Sequence, residues 1–233
     1  WQNRIPLDFE TVYEKCSLID VNNTEWKDYV ETLKQYRKEG RGKKGAIVMT
    51  CNPLTYGHKY LIEYAVQKVE HLYIFVVQED TFFFSYKERF EMVQACASEY
   101  PNITVLPSGQ FWASPVTFPE YFVRETVNPQ AVINPSNDVV IFGKYIAPIL
   151  DITMRFAGEE PNDFVTAAYN ASMKNILPKY GIDFCEIPRY EKKGIGTISA
   201  SKVREAIQEN TWEKVRQIVP KSTYEVLKKY YKA

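Results

Sequence analysis

The sequence predicts an α/β fold, in which helices cover both faces of a doubly wound parallel sheet and a small helical extension precedes that sheet. Short apolar runs typical of fully buried strands recur along the chain, and segments with apolar residues at helical spacing separate them. Because strands that alternate with helices pair in parallel, their carboxyl ends should meet at one edge of the sheet. A polar turn directly follows the first apolar run, and ligands of such sheets bind at that edge. We therefore expect a ligand site at this turn.

Composition excludes several classes of partner. The 29 basic residues balance the 29 acidic ones, so the net charge gives no reason to expect nucleic acid as a partner. No apolar run is long enough to cross a bilayer, and no signal segment opens the chain, so we expect no membrane partner. The four cysteines are far apart and form no CxxC pair, which is typical of free thiols in the cytoplasm.

Residues 1–44 are predicted to form a helical extension and a linker, separate from a domain over 45–233. Apolar side chains at helical spacing predict the helix: Trp26, Tyr29, Val30 and Leu33. Thr24 can cap its start, and Gly40 can end it. The basic segment 41–44 could attract phosphate, but a solvated connector is the interpretation we favour.

The first half of the domain is predicted to contain three buried strands with helices between them. Residues 45–51, 71–77 and 103–106 are apolar runs rich in β-branched and aromatic residues. Apolar side chains four residues apart predict the helix after the first strand: Leu61, Ala65 and Val69. Ser85 and Glu88 form a capping box at the start of the next helix.

The second half continues the alternation. A stretch rich in proline and aromatic residues, 107–119, predicts a loop that could act as a lid. Pro119 suits the first turn of a helix over 117–127. The remaining predicted elements are strands at 131–134, 152–157 and 183–187, helices over 138–150 and 161–177, and three closing helices that begin near Ser199, Thr211 and Ser222.

The first candidate corner of a site is the sequence NPLTYGH at residues 52–58. A helix should begin here, and helix N-termini bind phosphate through unpaired N–H groups and a positive dipole end. Neutral His58 can donate one hydrogen bond and the imidazolium adds a charge, and either form would stabilise charge that develops in nucleotidyl transfer. Thr55 adds a donor, Gly57 keeps the turn open, and Asn52 completes the predicted nucleotide-binding set. The alternative is a histidine that satisfies a loop carbonyl.

The second candidate corner is the sequence TISASKVR at residues 197–204. Ser199 can cap a helix, which leaves the amides of Ala200 and Ser201 exposed to a ligand. Arg204, one turn further on, can offer a bidentate fork to phosphate oxygens. The alternative is an ordinary capped helix with an exposed arginine. Together, the corners could hold the α-phosphate and an acceptor at the first and the distal phosphates at the second, provided that they share one cleft.

Other nucleotide motifs are absent from the sequence. No GxxxxGK(S/T) loop occurs, and no GxGxxG follows the first strand, which disfavours the P-loop and dinucleotide-binding classes. No cluster of His and Cys predicts a protein metal site. We therefore expect Mg²⁺ to arrive as the ion that bridges the phosphates of ATP.

The two corners, in this order, resemble the HxGH nucleotidyltransferase superfamily, with Thr55 in place of the first histidine. A closer match is the catalytic C-terminal domain of the citrate (pro-3S)-lyase ligase family. The matching motifs recur in order at residues 45–49, 52–61, 117–122, 145–148, 155–161, 166–170 and 198–204. The resemblance implies a Rossmann-like fold. The amino-terminal acetyltransferase-like domain usual in that family is not recognisable in residues 1–44.

The resemblance also implies a reaction. Acetate would attack the α-phosphate of ATP to give acetyl-AMP and pyrophosphate, and the acetyl group would pass to the thiol prosthetic group of the citrate lyase acyl carrier subunit. By motif match, Thr55 and His58 would act at the α-phosphate, and Ser199, Ser201 and Arg204 at the distal phosphates. Two alternatives stay open: an adenylyl- or cytidylyltransferase for a small phosphate or alcohol acceptor, and a non-catalytic nucleotide-binding module.

Overall fold

A computed structural model describes residues 23–123, 128, 133–161, 163–192 and 196–231. Its centre is a parallel sheet of five strands in the order β3-β2-β1-β4-β5. These strands are β1 (Lys44–Met49), β2 (His71–Val76), β3 (Ile103–Pro107), β4 (Ile152–Gly158) and β5 (Asp183–Ile187). The chain starts in the middle, runs to one edge through β2 and β3, and returns to fill the other side. The predicted doubly wound sheet is confirmed.

Among the described residues, one helix precedes β1, and the others lie in the connections between the strands and after β5. They are α1 (Thr24–Gln35), α2 (Tyr56–Val66), α3 (Tyr86–Ala97), α4 (Pro119–Phe122), α5 (Ser136–Ile141), α6 (Ala147–Ile149), α7 (Phe164–Ile176), α8 (Ala200–Gln208), α9 (Trp212–Ile218) and α10 (Lys221–Tyr231). Two short strands, β6 (Glu191–Lys192) and β7 (Gly196–Thr197), pair in antiparallel fashion before α8. In the described part of the chain, no helix has the length and apolar character needed to cross a membrane.

Both faces of the sheet are covered by apolar side chains. Neighbouring residues of β2 point to opposite faces, as the pleat of a strand requires. Ile74 belongs to a buried cluster with α2, α3 and α8–α10, while Tyr73 belongs to a second cluster with α1, α5 and α7. Every residue of β2 is buried as a result. This burial on both faces explains the continuous apolar runs in the sequence.

Helix α1 begins one residue earlier than its predicted cap allows. The side chain of Asn23, not that of Thr24, accepts hydrogen bonds from the backbone N–H groups of Glu25 and Trp26, at 2.9 and 3.3 Å. Asparagine and threonine are both favoured N-caps and asparagine is the better one, which agrees with the cap that the structure has. The helix also ends before Gly40, at Gln35. The buried side chains of α1 belong to the cluster that contains Tyr73. The division of the chain into residues 1–44 and 45–233 stays a prediction.

Three predicted elements in the second half differ from the structure or reach beyond its described part. The helix expected over 117–127 is α4, which covers four residues, and 124–127 lie outside the described residues. Of the strand expected over 131–134, only Ile133 and Asn134 are described, and neither is in a strand. The helix expected over 138–150 is interrupted by a π-helical turn, Phe142–Ile146, between α5 and α6. Pro148 explains the interruption, because it lacks an N–H and crowds the preceding turn.

Candidate active site

A cavity of about 440 Å³ opens at the carboxyl ends of β1 and β4. The chain leaves these neighbouring strands towards opposite edges of the sheet, so the cavity lies at the switch point where doubly wound sheets bind ligands. All eight residues predicted for the site line this cavity: Asn52, Thr55, Gly57, His58, Ser199, Ala200, Ser201 and Arg204. The structure thus brings the two corners together, while the roles of their residues stay predictions.

The first corner is a strained turn that leads into a capped helix. Cys51, directly after β1, has a φ of 50°, a left-handed conformation that costs a non-glycine residue on the order of 1 kcal/mol. Thr55 is the N-cap of α2, and its backbone N–H donates to Nδ1 of His58 over 3.0 Å. The Thr55 hydroxyl lies 2.9 Å from the same nitrogen. The imidazole therefore occupies the position that glutamate or glutamine holds in an ordinary capping box.

This contact fixes the tautomer of His58. A backbone N–H can only donate, so Nδ1 accepts and the proton of the neutral ring resides on Nε2. Burial lowers the pKa of His58 to about 4, which leaves the ring neutral at pH 7. Of the two forms considered from the sequence, the neutral donor is the one that the structure supports. Its Nε2–H is the group that His58 can offer to a ligand in the cavity.

Asn52 and Gly57 are the other two residues of this corner, and the structure uses the side chain of only the first of them for a contact within the protein. The side chain oxygen of Asn52 accepts from the backbone N–H of Phe84 over 3.1 Å, so it anchors the turn to the segment before α3. At Gly57, a Cβ would meet only the Thr55 hydroxyl, at 3.6 Å, which is an ordinary contact. The protein itself would therefore accept alanine at position 57, and a requirement for glycine there must come from a ligand.

The second corner is tied directly to the first. Ser199 caps α8 by accepting from the backbone N–H of Ser201 over 3.2 Å. Arg204 donates from Nη2 to the Ser201 hydroxyl, at 3.1 Å, and from Nη1 to the carbonyl of Asn52, at 2.8 Å. Two nitrogens of the predicted phosphate fork thus donate to the chain itself, across a separation of 152 residues in the case of Asn52. The guanidinium joins the corners in this structure.

The cavity also contains a cluster of polar groups to which the sequence assigned no role. Asp138 is fully buried and accepts from the hydroxyls of Thr117 and Tyr169, at 2.7 and 2.5 Å, and from the backbone N–H of Ala113. Burial raises the pKa of Asp138, and these hydrogen bonds oppose the rise. Arg155, on β4, lines the same cavity and is 3% exposed. An arginine inside an apolar strand run was the signal available in the sequence.

A second buried arginine supports the first corner from behind. Arg89, on α3, is completely buried and donates to four backbone carbonyls, those of residues 50, 77, 79 and 84. These carbonyls belong to the segments that follow β1 and β2. Arg89 therefore holds the backbone that carries the NPLTYGH turn.

The predicted lid segment, 107–119, forms part of the cavity wall together with α4. Tyr121, on α4, shares a 2.6 Å hydrogen bond with the Thr50 hydroxyl just after β1. Phe118 packs against the ring of Tyr169, with centroids 5.2 Å apart. All four side chains line one cavity, because α4 packs against α7 and Tyr121 binds the residue that follows β1.

The described residues contain no group of three or more His, Cys, Asp or Glu side chains that could hold a metal ion. Whether the protein supplies ligands to a metal ion, and the arrival of Mg²⁺ with the phosphates of ATP, stay predictions.

Comparison with known proteins places these features in a family. The model of the citrate lyase ligase C-terminal domain matches residues 44–227. The citrate (pro-3S)-lyase ligase of Klebsiella pneumoniae is 39% identical over 206 residues, which cover 85% of this chain and 58% of that protein. The protein of the same name from Escherichia coli K12 is 35% identical over 240 residues, covering 94% of this chain and 66% of that protein. The chain thus spans about three-fifths of the length of these relatives.

A solved structure of Thermotoga maritima TmcAL bound with alpha-thio ATP covers 80% of this chain and 55% of that one, at 17% identity and a TM-score of 0.49. A likeness of this size carries no conclusion about ligand or activity.

Proposed function

We propose that this chain, which belongs to the citrate lyase ligase C-terminal domain family, is the ATP-dependent catalytic part of an acetate:citrate lyase ligase. It would form acetyl-AMP and transfer the acetyl group to the thiol prosthetic group of the citrate lyase acyl carrier subunit. The names of the curated relatives support this activity. The family match begins at residue 44, which supports the proposed division between residues 1–44 and 45–233. The cytoplasmic location expected from the cysteines belongs to the same proposal.

The observation that carries the proposal is the convergence of the two corners on one cavity. Arg204 reaches the carbonyl of Asn52 over 2.8 Å, so the N-terminus of α8 lies beside the N-terminus of α2. Two helix N-termini that face one space suit a chain of phosphates better than a neutral ligand. The cavity volume of about 440 Å³ is within the range of small-molecule sites.

The first step needs charge stabilisation rather than a base. An oxygen of acetate attacks the α-phosphorus of ATP, the bond from that phosphorus to the bridging oxygen breaks, and the electron pair leaves with pyrophosphate. Acetate is already an anion at pH 7, so no proton has to be removed. The Nε2–H of neutral His58 and the N-terminus of α2 would stabilise the charge that grows on the α-phosphate oxygens.

The second step is acyl transfer. The sulfur of the carrier thiol attacks the carbonyl carbon of acetyl-AMP, AMP leaves with the electron pair of its bond to that carbon, and the thiol proton passes to solvent. Mg²⁺ would enter with the phosphates of ATP. The described residues offer no donor cluster of their own for this ion.

The test is exchange of labelled pyrophosphate into ATP, which reports the first step without the carrier. Acetate should be required, and sodium chloride at the same ionic strength should not replace it. Hydroxylamine should trap acetyl-AMP as acetohydroxamate. If exchange responds to small phosphate esters or alcohols and not to acetate, the chain is an adenylyl- or cytidylyltransferase instead.

A further inference from the structure

Two arginines are buried near the cavity, and they differ in whether their N–H groups have hydrogen-bond acceptors in the protein. Arg89 is fully buried and donates to four backbone carbonyls. Arg155 is 3% exposed, but neither its Nε nor its Nη1 has a hydrogen-bond partner among the described residues. Arg89 is thus a structural residue whose donors are used, whereas Arg155 carries donors that the chain does not use.

The surroundings of Arg155 do not supply the missing acceptor. Its guanidinium lies over the ring of Phe142, 4.8 Å from the centroid, and a ring face accepts no strong hydrogen bond. Asp138 is the nearest candidate for a counter-charge, but both of its oxygens already accept from Tyr169, Thr117 and Ala113. Asp138 acts on Arg155 through its charge and Tyr169 interacts with the guanidinium through its hydroxyl, but Nε and Nη1 have no acceptor among the described residues. The remaining open side is the cavity that Arg155 lines.

An unsatisfied buried guanidinium is costly. Buried polar groups are almost always hydrogen-bonded, and a buried charge without a paired acceptor destabilises the fold. Burial accordingly lowers the pKa of Arg155, although Tyr169 and Asp138 favour its charged form. Such a group is retained at a cost to the ligand-free protein, which is a feature of binding sites.

The position of Arg155 indicates which of the anions in the cavity this side chain could bind. The two phosphate corners are carried by α2 and α8, which pack on one face of the sheet. Arg155 contacts the elements of the other face, which carry Phe142 and Tyr169. In an in-line displacement the attacking group lies opposite the leaving pyrophosphate. The attacking carboxylate should therefore lie on the wall opposite the distal-phosphate corner, where Arg155 is.

We propose that Arg155 binds the carboxylate of the acyl substrate, a small monocarboxylate such as acetate, and directs one of its oxygens towards the α-phosphate. This inference rests on the proposed function, since it assigns the acceptor subsite of that reaction. Phe118 and Tyr169, with ring centroids 5.2 Å apart, line the same cavity and provide apolar contact for a methyl group. Arg155 begins the family-like motif at 155–161, which by itself assigned the arginine no role, and this proposal makes it a substrate-binding residue.

The test compares Arg155→Met with the wild-type chain in the pyrophosphate exchange assay. The KM for acetate should rise roughly 30-fold, as expected for loss of a charge-assisted contact, while the KM for ATP stays within twofold. Arg189→Gln is the matched control, because Arg189 lines the same cavity but is paired with Glu160 at 3.0 Å. It removes the same charge and should leave the acetate KM unchanged. An unchanged acetate KM in Arg155→Met, or a raised ATP KM instead, overturns the inference.

Thermal unfolding gives a readout that does not need turnover. Acetate at about ten times its dissociation constant should raise the wild-type melting temperature by roughly 3–6 °C, and should not shift Arg155→Met. If this shift is seen while acetate supports no exchange, the proposed function fails and the carboxylate site stands. If exchange is normal and the shift persists in Arg155→Met, the site is wrong and the function stands. If Arg155→Met does not fold, Arg155→Lys takes its place, because lysine keeps the charge but has no planar fork of N–H donors. This variant should raise the KM for acetate about tenfold, and an unchanged KM overturns the inference.

Discussion

Substitutions at His58 can separate the two contributions that the structure gives this imidazole. Its Nδ1 accepts from the backbone N–H of Thr55 and so caps α2, while its Nε2–H is the donor offered to the cavity. His58→Ala removes both. His58→Gln keeps an acceptor for the cap and a neutral donor. His58→Glu keeps the cap acceptor, but replaces the donor by a negative charge.

The expected magnitudes differ between stability and rate. Loss of the cap in His58→Ala should lower the free energy of unfolding by about 1 kcal/mol, or the melting temperature by about 2–4 °C. Loss of one donor aimed at developing charge should slow the reaction about 10²- to 10³-fold, equivalent to about 2.7–4 kcal/mol. His58→Glu should retain the stability of the glutamine variant and be slower than His58→Ala, because its carboxylate repels the phosphates.

The assay is acetate-dependent pyrophosphate exchange, measured together with thermal unfolding for all four proteins. The rates should fall in the order wild type, glutamine, alanine, glutamate, whereas alanine should be the least stable. A rate for His58→Ala within tenfold of wild type would refute the assignment. So would rates that simply follow the melting temperatures, because His58 would then act only as a cap.

Three further predictions concern the same corners. Gly57→Ala should leave the free energy of unfolding unchanged or raise it by up to about 1 kcal/mol, because the protein leaves room for a Cβ. The same substitution should weaken ATP binding in a titration. Unchanged ATP affinity would show that no ligand needs this space. Arg204→Ala should weaken ATP binding. It should also lower the free energy of unfolding by about 1–3 kcal/mol, because the hydrogen bonds from the guanidinium to Asn52 and Ser201 are lost. An ATP titration curve identical to that of the wild type would contradict the phosphate role. The pKa of His58 in the folded protein is lowered to about 4 from 6.5, so the unfolded chain binds more protons between these pH values. The free energy of unfolding should therefore fall as the pH drops through this window, by at most roughly 3 kcal/mol. Urea unfolding should show a smaller fall for His58→Gln, and equal pH dependence in both proteins would argue against the lowered pKa.

The fold could be predicted largely because its determinants are local. Ser85 and Glu88 announce the start of α3, and the structure contains both bonds of that capping box. The strand predicted at 183–187 is β5, with the bounds expected from the sequence. Where two neighbouring residues can both cap a helix, as Asn23 and Thr24 can, the pattern identifies the helix and not its first residue.

The candidate site could be predicted only in part. Both corners are turns before helices, so their residues are contiguous and carry recognisable signals. The contacts of Asp138, Arg155 and Tyr169 join a helix, a strand and another helix, and no spacing in the sequence relates them. Arg89 is a similar case, because the carbonyls that it binds are set by tertiary packing.

The hydrogen bond from Thr55 to His58 makes a backbone amide into a reporter on the imidazole. The N–H of Thr55 has Nδ1 as its acceptor over 3.0 Å, so deuterium from the solvent should replace this hydrogen slowly while the ring stays in place. Any ligand, substitution or acid that turns the ring away should speed that replacement at one residue. Isotope uptake at Thr55 would then follow the orientation of a side chain that has no absorbance or fluorescence of its own to observe.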